Sequence, residues 1–190
     1  MAAKELPSLE ILHKVFRYDA ECGKLYWRER PVEMFSGQGK LSSVEVCRRW
    51  NTRFAGKEAG SPGSCYRSVG LAGGVWAIHR IIYAIYHNEQ LSTDAEIDHI
   101  NQDKMDNRIS NLRKATAAEN KRNRTPTERK RIVYGVYLTP SGRWGARIYV
   151  DKRVVHLGTH PTKDGAVAAR KAAEQKYFGE FAANPGLVSR

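Results

Sequence analysis

The densest run of residues able to do chemistry is EIDHINQDKMDNRISNLRKATAAENKRN, Glu96 to Asn123. Asp98 and His99 are adjacent in what reads as the end of a β-strand, so their side chains point to opposite faces. One can hold a cation while the other faces a reacting water, provided that the strand end is open to solvent. Asn120 falls in the first turns of a following helix, and a strand–loop–strand–helix path folds it back towards Asp98. Carboxylate and amide oxygens suit Mg²⁺ or Mn²⁺, hard ions that keep several waters and take further ligands from a substrate phosphate. Phosphodiester cleavage needs an activated water, stabilisation of charge on the phosphate and help for the departing 3′-oxygen. One divalent ion and one imidazole supply all three. A neutral His99 takes the proton from water once its other ring nitrogen is held, and a side-chain or backbone carbonyl in the loop 107–111 is placed for that. The plainer reading leaves Asn107 and Asn111 only the work of Asx turns in a polar loop.

The elements that must position these groups are legible from periodicity. A strand over Glu96–Ile100, a loop rich in Asn and Asp, a second strand over Leu112–Ala115 and a helix follow one another. Thr116 opens that helix with Glu119 three residues on, the spacing at which each side chain ties down the other's backbone N–H. Upstream, LEILHKVF places Leu9, Leu12, Val15 and Phe16 on a short helical stripe, and RYDAECGKLYWRER reads as a hairpin turning at Cys22-Gly23 and presenting Tyr26 and Trp27 to a core. A second hairpin, Tyr66–Leu71 and Val75–Ile78 around Ala72-Gly73-Gly74, leads into a helix whose Ile78, Ile81, Ile82 and Ile85 share a face. His79 opens that helix beside Arg80, a candidate contact to nucleic acid, and for His79 a structural or phosphate-contacting role is as apt as a catalytic one. His13 and His87 read as surface residues. Residues 29–63 are rich in Gly, Ser, Arg and Pro and read as loops with short elements and no assigned role.

Beyond Asn120 the chain turns basic. KRNRTPTERKR, Lys121 to Arg131, reads as a linker lying along phosphates, with Lys121, Arg122 and Arg124 as contacts. Three strands follow, VYGVYL, RWGARIYV and KRVVHLG, turned at Ser141-Gly142 and Asp151-Lys152. A helix over Thr162–Phe178 then brings Ala166, Ala169, Ala172 and Ala173 to a face that can approach a sheet closely. Strand alternation puts Arg143, Gly145, Arg147 and Tyr149 on one face, with Trp144, Ala146, Ile148 and Val150 on the other. Arg143, Arg147 and, on the next strand, Arg153 are therefore the candidates for guanine or phosphate contacts.

The bulk numbers agree with a polyanionic partner. Lys and Arg total 32 against 20 for Asp and Glu, a formal charge of +12. Such a surface binds nucleic acid in a strongly salt-dependent way. With 190 residues the chain suits two or three small modules better than one large core. No apolar run reaches the ~18 residues that span a bilayer, and residues 1–9 lack the apolar core of a signal peptide, so a cytoplasmic protein is expected. Cys22, Cys47 and Cys65 are widely spaced and read as reduced bystanders.

Asp98-His99, then Asn111, then Asn120 resembles the HNH (ββα-metal) nucleases, specifically the phage and intron-encoded group whose metal-side histidine is replaced by asparagine. DNRISNLR and EN-x-x-N, which ends on Asn123, match that group's habits, and the likeness runs upstream through YDAECGKLYW, WNTRFAGKEAG and Ile78-His79-Arg80. The resemblance implies Asp98 and Asn120 as metal ligands for Mg²⁺ or Mn²⁺, His99 as general base and Asn111 as the residue that orients His99. Because an amide binds a metal more weakly than imidazole or carboxylate, low metal affinity is expected. Residues 132–182 resemble an AP2 domain, in which a three-stranded sheet lies in the major groove and a helix braces its back. That likeness rests on the YGV opening, the RW-x-A-R-I strand and the LGTH passage, and it associates Trp144 with DNA although alternation puts it on the inner face.

The expected fold class is α+β, a ββα-metal region followed by a small three-stranded sheet plus helix. The expected layout is 1–58, an N-terminal helix and hairpin extension; 59–124, the HNH core; 125–131, a basic linker; 132–183, the AP2-like domain; and 184–190, a tail. The function implied is a homing-type, site-preferring endonuclease acting on double-stranded DNA as monomer or dimer, in the cytoplasm of a bacterial host if phage-encoded. The rival reading is a non-catalytic DNA-binding regulator.

Overall fold

The structure is a computed structural model that describes residues 5–63, 65–122 and 135–182, with the side chains of Lys121 and Arg122 outside that description. Contacts divide the chain into two units, Met1–Ala115 and Thr116–Arg190, ahead of the 124/125 boundary expected above. Asn123, Arg124 and the linker 125–131 lie outside the described residues.

In the first unit, Ser8 caps α1 (Leu9–Val15) by accepting from the Ile11 N–H. The stripe expected from sequence is the one that is buried, Leu12 and Val15 completely. At Phe16 the chain turns extended into β1 (Phe16–Asp19), which pairs antiparallel with β2 (Lys24–Trp27). Period-two alternation puts Phe16, Leu25 and Trp27 against the core and turns Tyr26 the other way, under the Arg17 guanidinium. Tyr26 is thus not a core residue, contrary to expectation.

Residues 29–63 hold more order than their composition promised. A 12-residue helix, α2 (Ser43–Phe54), begins at Ser42, whose side chain and backbone exchange hydrogen bonds with Glu45 in a capping box. A short strand β3 (Ser61–Pro62) then joins the hairpin of β4 (Arg67–Leu71) and β5 (Gly74–Ala77). Ala72 and Gly73, both at positive φ, form the two-residue turn.

The ten residues of α3 (Ile78–His87) carry the centre of the core. Ile78, Ile81, Ile82 and Ala84 are buried and Ile85 packs at the margin. Fully burying one such aliphatic side chain contributes about 1.5–3 kcal/mol. This helix therefore fixes the floor on which β6 (Glu96–His99) and β7 (Leu112–Ala115) lie as an antiparallel pair.

In the second unit, Thr116 caps α4 (Ala117–Arg122), and the predicted box with Glu119 is present. β8 (Val136–Leu138), β9 (Trp144–Val150) and β10 (Arg153–His160) form a sheet in the order β10-β9-β8, with α5 (Lys163–Phe178) against it. Ala166 and Ala173 are buried as expected, but Ala172 is exposed and Arg170 takes a place in the packed row. Its Nη1 donates to the Arg147 carbonyl at 2.6 Å and its Nε to Glu174, so the cation is paired where a methyl had been expected.

One close approach ties the N-terminal hairpin to the loop after β6. Gly23 has φ +69, and a Cβ there would stand 2.5 Å from the Arg108 nitrogen and 2.7 Å from the Asn107 carbonyl carbon. Gly23→Ala should destabilise the unit by about 2–4 kcal/mol, combining left-handed strain with overpacking against backbone. Urea unfolding of the variant checks this, and a shift below about 1 kcal/mol would show that the clash is easily relieved.

Candidate active site

His99 is the last residue of β6, and the loop 100–111 folds back over it. That loop is built by its own short polar side chains. Asn101 Oδ1 accepts from the Asp103 N–H, Asp103 Oδ1 from Met105 and Asp106 Oδ1 from Arg108, three successive Asx-type closures. Asn107 and Asn111, the two residues weighed above as turn formers, instead reach further across the loop.

Asn107 carries the contact to the imidazole. Its Oδ1 lies 3.0 Å from His99 Nε2, and both side chains are buried. Asn111 does not hold His99: its Oδ1 accepts from the Asn101 N–H at 2.9 Å and its Nδ2 donates to the Asp106 carbonyl at 2.8 Å. The reason lies in the strand register. The Asn111 carbonyl takes the Ile100 N–H at the open end of the β6–β7 ladder, so its side chain spans the loop's base. Asn107, four residues earlier, sits over the ring. The Tyr18 hydroxyl pins that segment, donating to the Asn107 carbonyl and accepting from the Ile109 N–H at 2.9 Å.

Asp98 projects to the other face of β6, as alternation requires. Its cross-strand partner is Arg113, whose Nε and Nη2 both donate to Asp98 Oδ2, at 3.0 and 2.8 Å. With side chains 7% and 10% exposed, the pair is largely withdrawn from water. Asn120 belongs to the second unit, in α4, where its N–H closes on the Thr116 carbonyl. Among the described residues no group of three or more His, Cys, Asp or Glu is gathered as a metal site.

Three rings meet beside Asn107. The His79 ring stands edge-on to His99 at 5.0 Å, and the Tyr66 ring lies tilted against His79 at 4.8 Å and stacked with His99 at 6.0 Å. Lys104 places its ammonium 4.9 Å above the Tyr66 ring. Burial pushes the His79 pKa down to about 3, with the His99 and Arg80 charges acting the same way. Burial also lowers His99, against the opposing pull of the Asn107 hydrogen bond and of the Asp98 charge. Both imidazoles are thus neutral at pH 7, the state in which a ring can accept a proton.

Of the residues proposed to meet nucleic acid, Arg80 is turned inwards. Its Nη1 donates to the Ala95 carbonyl and its Nη2 to that of Ser92, tying α3 to the turn before β6. In the second unit Arg147, Tyr149 and Arg153 are exposed, and Arg147 lies over the Tyr137 ring. Arg143 is exposed as well and reaches the Thr159 carbonyl. Trp144 is on the opposite face, packed with Ala146 and Ala166, as its place in the alternation required. Sequence reasoning passed over Tyr18, Tyr66, Lys104 and Arg113. Arg113 alone had a readable signal, since the short strand pair fixes it opposite Asp98.

Residues 77–122 match the family model for HNH endonuclease, a stretch that runs from the end of β5 through α3, β6, β7 and α4. The chain is also 29% identical over 110 residues to an uncharacterized HNH endonuclease of Acanthamoeba polyphaga mimivirus, covering 58% of this chain and 57% of that one. A stretch of 57 residues is 42% identical to part of an AP2/ERF and B3 domain-containing protein of Oryza sativa subsp. japonica, 29% of this chain and 16% of the relative. The chain thus spans little more than half of the mimivirus relative and a small part of the rice one. No solved structure gives a significant match. Residues 77–122 are thus similar to an HNH endonuclease domain. Enzymes with this domain typically use a divalent metal, and no described helix is long and apolar enough to cross a membrane.

The buried histidine makes stability pH-dependent. An unfolded His79 titrates near 6.5, whereas the folded one stays neutral down to about 3. Between those values the unfolded chain binds the extra proton, so the stabilisation is complete above pH 6.5 and is lost as pH falls. The slope from this group approaches about 1.4 kcal/mol per pH unit. The urea midpoint should drop between pH 7.5 and 5, and less steeply in His79→Gln; equal slopes in the two proteins would contradict a buried neutral His79.

Proposed function

We propose that the protein is a metal-dependent endonuclease of the homing type, cutting double-stranded DNA at preferred sites with His99 as general base. The observation that carries this reading is the buried, neutral imidazole of His99, held by Asn107 at a strand end within the HNH match. The proton from the attacking water passes to a His99 ring nitrogen, and Asn107 keeps the ring in one orientation while it does so. Asn111 supports this indirectly by closing the base of the loop, so it is a positioning residue rather than the direct partner of His99.

Asp98 and Asn120 are the residues that would hold Mg²⁺ or Mn²⁺. Their donor set fits such a hard ion: one carboxylate and one amide oxygen leave most of the coordination to water and phosphate. When bound, the ion supplies charge neutralisation at the phosphate and assistance to the departing 3′-oxygen. Arg113, paired to Asp98 Oδ2, fixes the direction of that carboxylate.

The second unit serves as the DNA-binding module in this reading, an AP2-like sheet whose Arg143, Arg147, Tyr149 and Arg153 meet the duplex while α5 braces the back. The short stretch of identity to the rice AP2/ERF and B3 domain-containing protein and the exposed basic face of β9 and β10 support it. Lys121, Arg122 and Arg124 are assigned to the same duplex on their charge alone. Tethering raises the local concentration of DNA at the nuclease without demanding tight binding by either part. A phage or other mobile element, expressed in a bacterial cytoplasm, is the setting that suits such an enzyme.

Incubation of the whole chain with supercoiled plasmid, with Mg²⁺ or with EDTA, tests the assignment. Metal-dependent nicking should fall at least a hundredfold in His99→Ala and about tenfold in Asn107→Ala. Binding without cleavage by wild type in Mg²⁺ and in Mn²⁺ would instead favour the non-catalytic DNA-binding regulator.

A further inference from the structure

The helix that sequence reasoning missed is the basic feature left without a role. Between Arg28 and Lys57 seven Lys or Arg stand against three Glu. Arg48, Arg49 and Arg53 are exposed on α2 and, at 3.6 residues per turn, fall within an arc of about 140°. The acid on this helix is Glu45, and its carboxylate is engaged by the Ser42 backbone and hydroxyl at 2.8 Å each, in the capping box. None of the three arginines forms an ion pair with a described residue. A helix face that only needs to stay solvated carries both signs of charge. By the same spacing Glu45 falls within that arc, but its carboxylate is taken up by the cap, so the face presents three guanidinium groups and Thr52 against one engaged acid.

The mounting of the helix is equally unusual. α2 has no fully buried side chain and is held through aromatic contacts: Trp50 packs on Trp27, Phe35 and Phe54. Arg30 is inserted among them, 4.5 Å from the Trp27 ring and 3.9 Å from that of Trp50. Its Nε and Nη2 are buried with no hydrogen-bond partner. Asn51 fastens the same segment, accepting from the Arg30 N–H and donating to its carbonyl. A fourth cation without an anion is thus built into the root of a helix whose outer face is already positive. Among the described residues the patch keeps a net positive charge, and it matches a polyanion.

We infer that α2 is a second DNA-binding element of the nuclease unit, laying Arg48, Arg49 and Arg53 along the phosphate backbone of the duplex. The inference rests on the nuclease reading for the choice of duplex DNA as the polyanion. Guanidinium groups suit phosphate through their paired N–H donors, and successive turns of a helix present them about 6 Å apart. Contacts of this type position a duplex without reading its sequence. α2 therefore contributes affinity and orientation, and site preference comes from elsewhere in the chain.

The test is equilibrium binding of the full chain to a fluorescein-labelled 30-base-pair duplex of arbitrary sequence, in EDTA so that no cleavage occurs, across a series of NaCl concentrations. Every phosphate that the protein no longer neutralises makes the slope of log K against log salt shallower by about 0.9. The triple variant Arg48→Gln, Arg49→Gln, Arg53→Gln should lower the steepness of that slope by about 2–3, while the triple Arg→Lys variant retains most of it. A control that removes the same charge elsewhere, Lys14→Gln, Lys171→Gln, Lys176→Gln, should change the slope by less than about 1. Should the arginine triple lose helical circular dichroism, Arg49→Gln alone is read, with an expected decrease of about 0.9. An unchanged slope overturns the inference. So do an equal decrease in the lysine control, a decrease confined to single-stranded RNA, and a wild type that does not bind the duplex. Wild type that binds but never cuts contradicts the nuclease reading and leaves this one standing; wild type that cuts, with the slope unmoved by the arginine triple, does the reverse.

Discussion

The hydrogen bond between His99 and Asn107 is the contact on which the first unit's architecture converges. A buried imidazole in one orientation requires a partner fixed from outside its own strand. The loop 100–111 cannot supply that rigidity unaided, because its Asx closures shape it without anchoring it. Tyr18 anchors it from the N-terminal hairpin, Asn111 from the base of the β6–β7 ladder, and Gly23 permits the approach of the hairpin to the loop backbone. The N-terminal extension therefore belongs to the site: without β1 and β2 the Asn107 segment would lose its outer support.

Burial and charge divide the labour at the strand end. On one face the Asp98 carboxylate is paired with the Arg113 guanidinium, so neither charge stands alone in a poorly hydrated place. On the other face burial lowers the His99 pKa, and the rings of Tyr66 and His79 lie against the imidazole. Adjacent residues with opposite electrostatic needs are separated by nothing more than strand alternation. This is why the Asp-His pair works only at a strand and would lose its separation on a helix.

Much of this was legible in the residues. The β6–β7 pair, the Thr116–Glu119 box, the α3 apolar face and the alternation of β9 follow from spacing, and the structure holds them where spacing put them. What escaped has physical reasons. Asn107 and Asn111 are chemically identical and four residues apart in one loop, and only the closure at Ile100 decides which amide lies over the ring. α2 announced itself by Ser42 and Glu45, the same signal read correctly at Thr116, and by Val46, Cys47, Trp50 and Phe54 at helical spacing, but the Gly, Ser, Arg and Pro on either side masked that short stripe. Arg170 took a place in an alanine-lined face because its guanidinium finds the Arg147 carbonyl and Glu174, partners that no periodicity encodes.

In the proposed reaction a neutral His99 ring accepts the proton of the attacking water. Chemical rescue tests it most directly: plasmid nicking by His99→Gly, measured with increasing imidazole in the buffer. Negligible nicking is predicted without imidazole and a saturable recovery with it, greater at pH values where imidazole is unprotonated. Near wild-type nicking by His99→Gly in the absence of imidazole would show that the proton goes elsewhere.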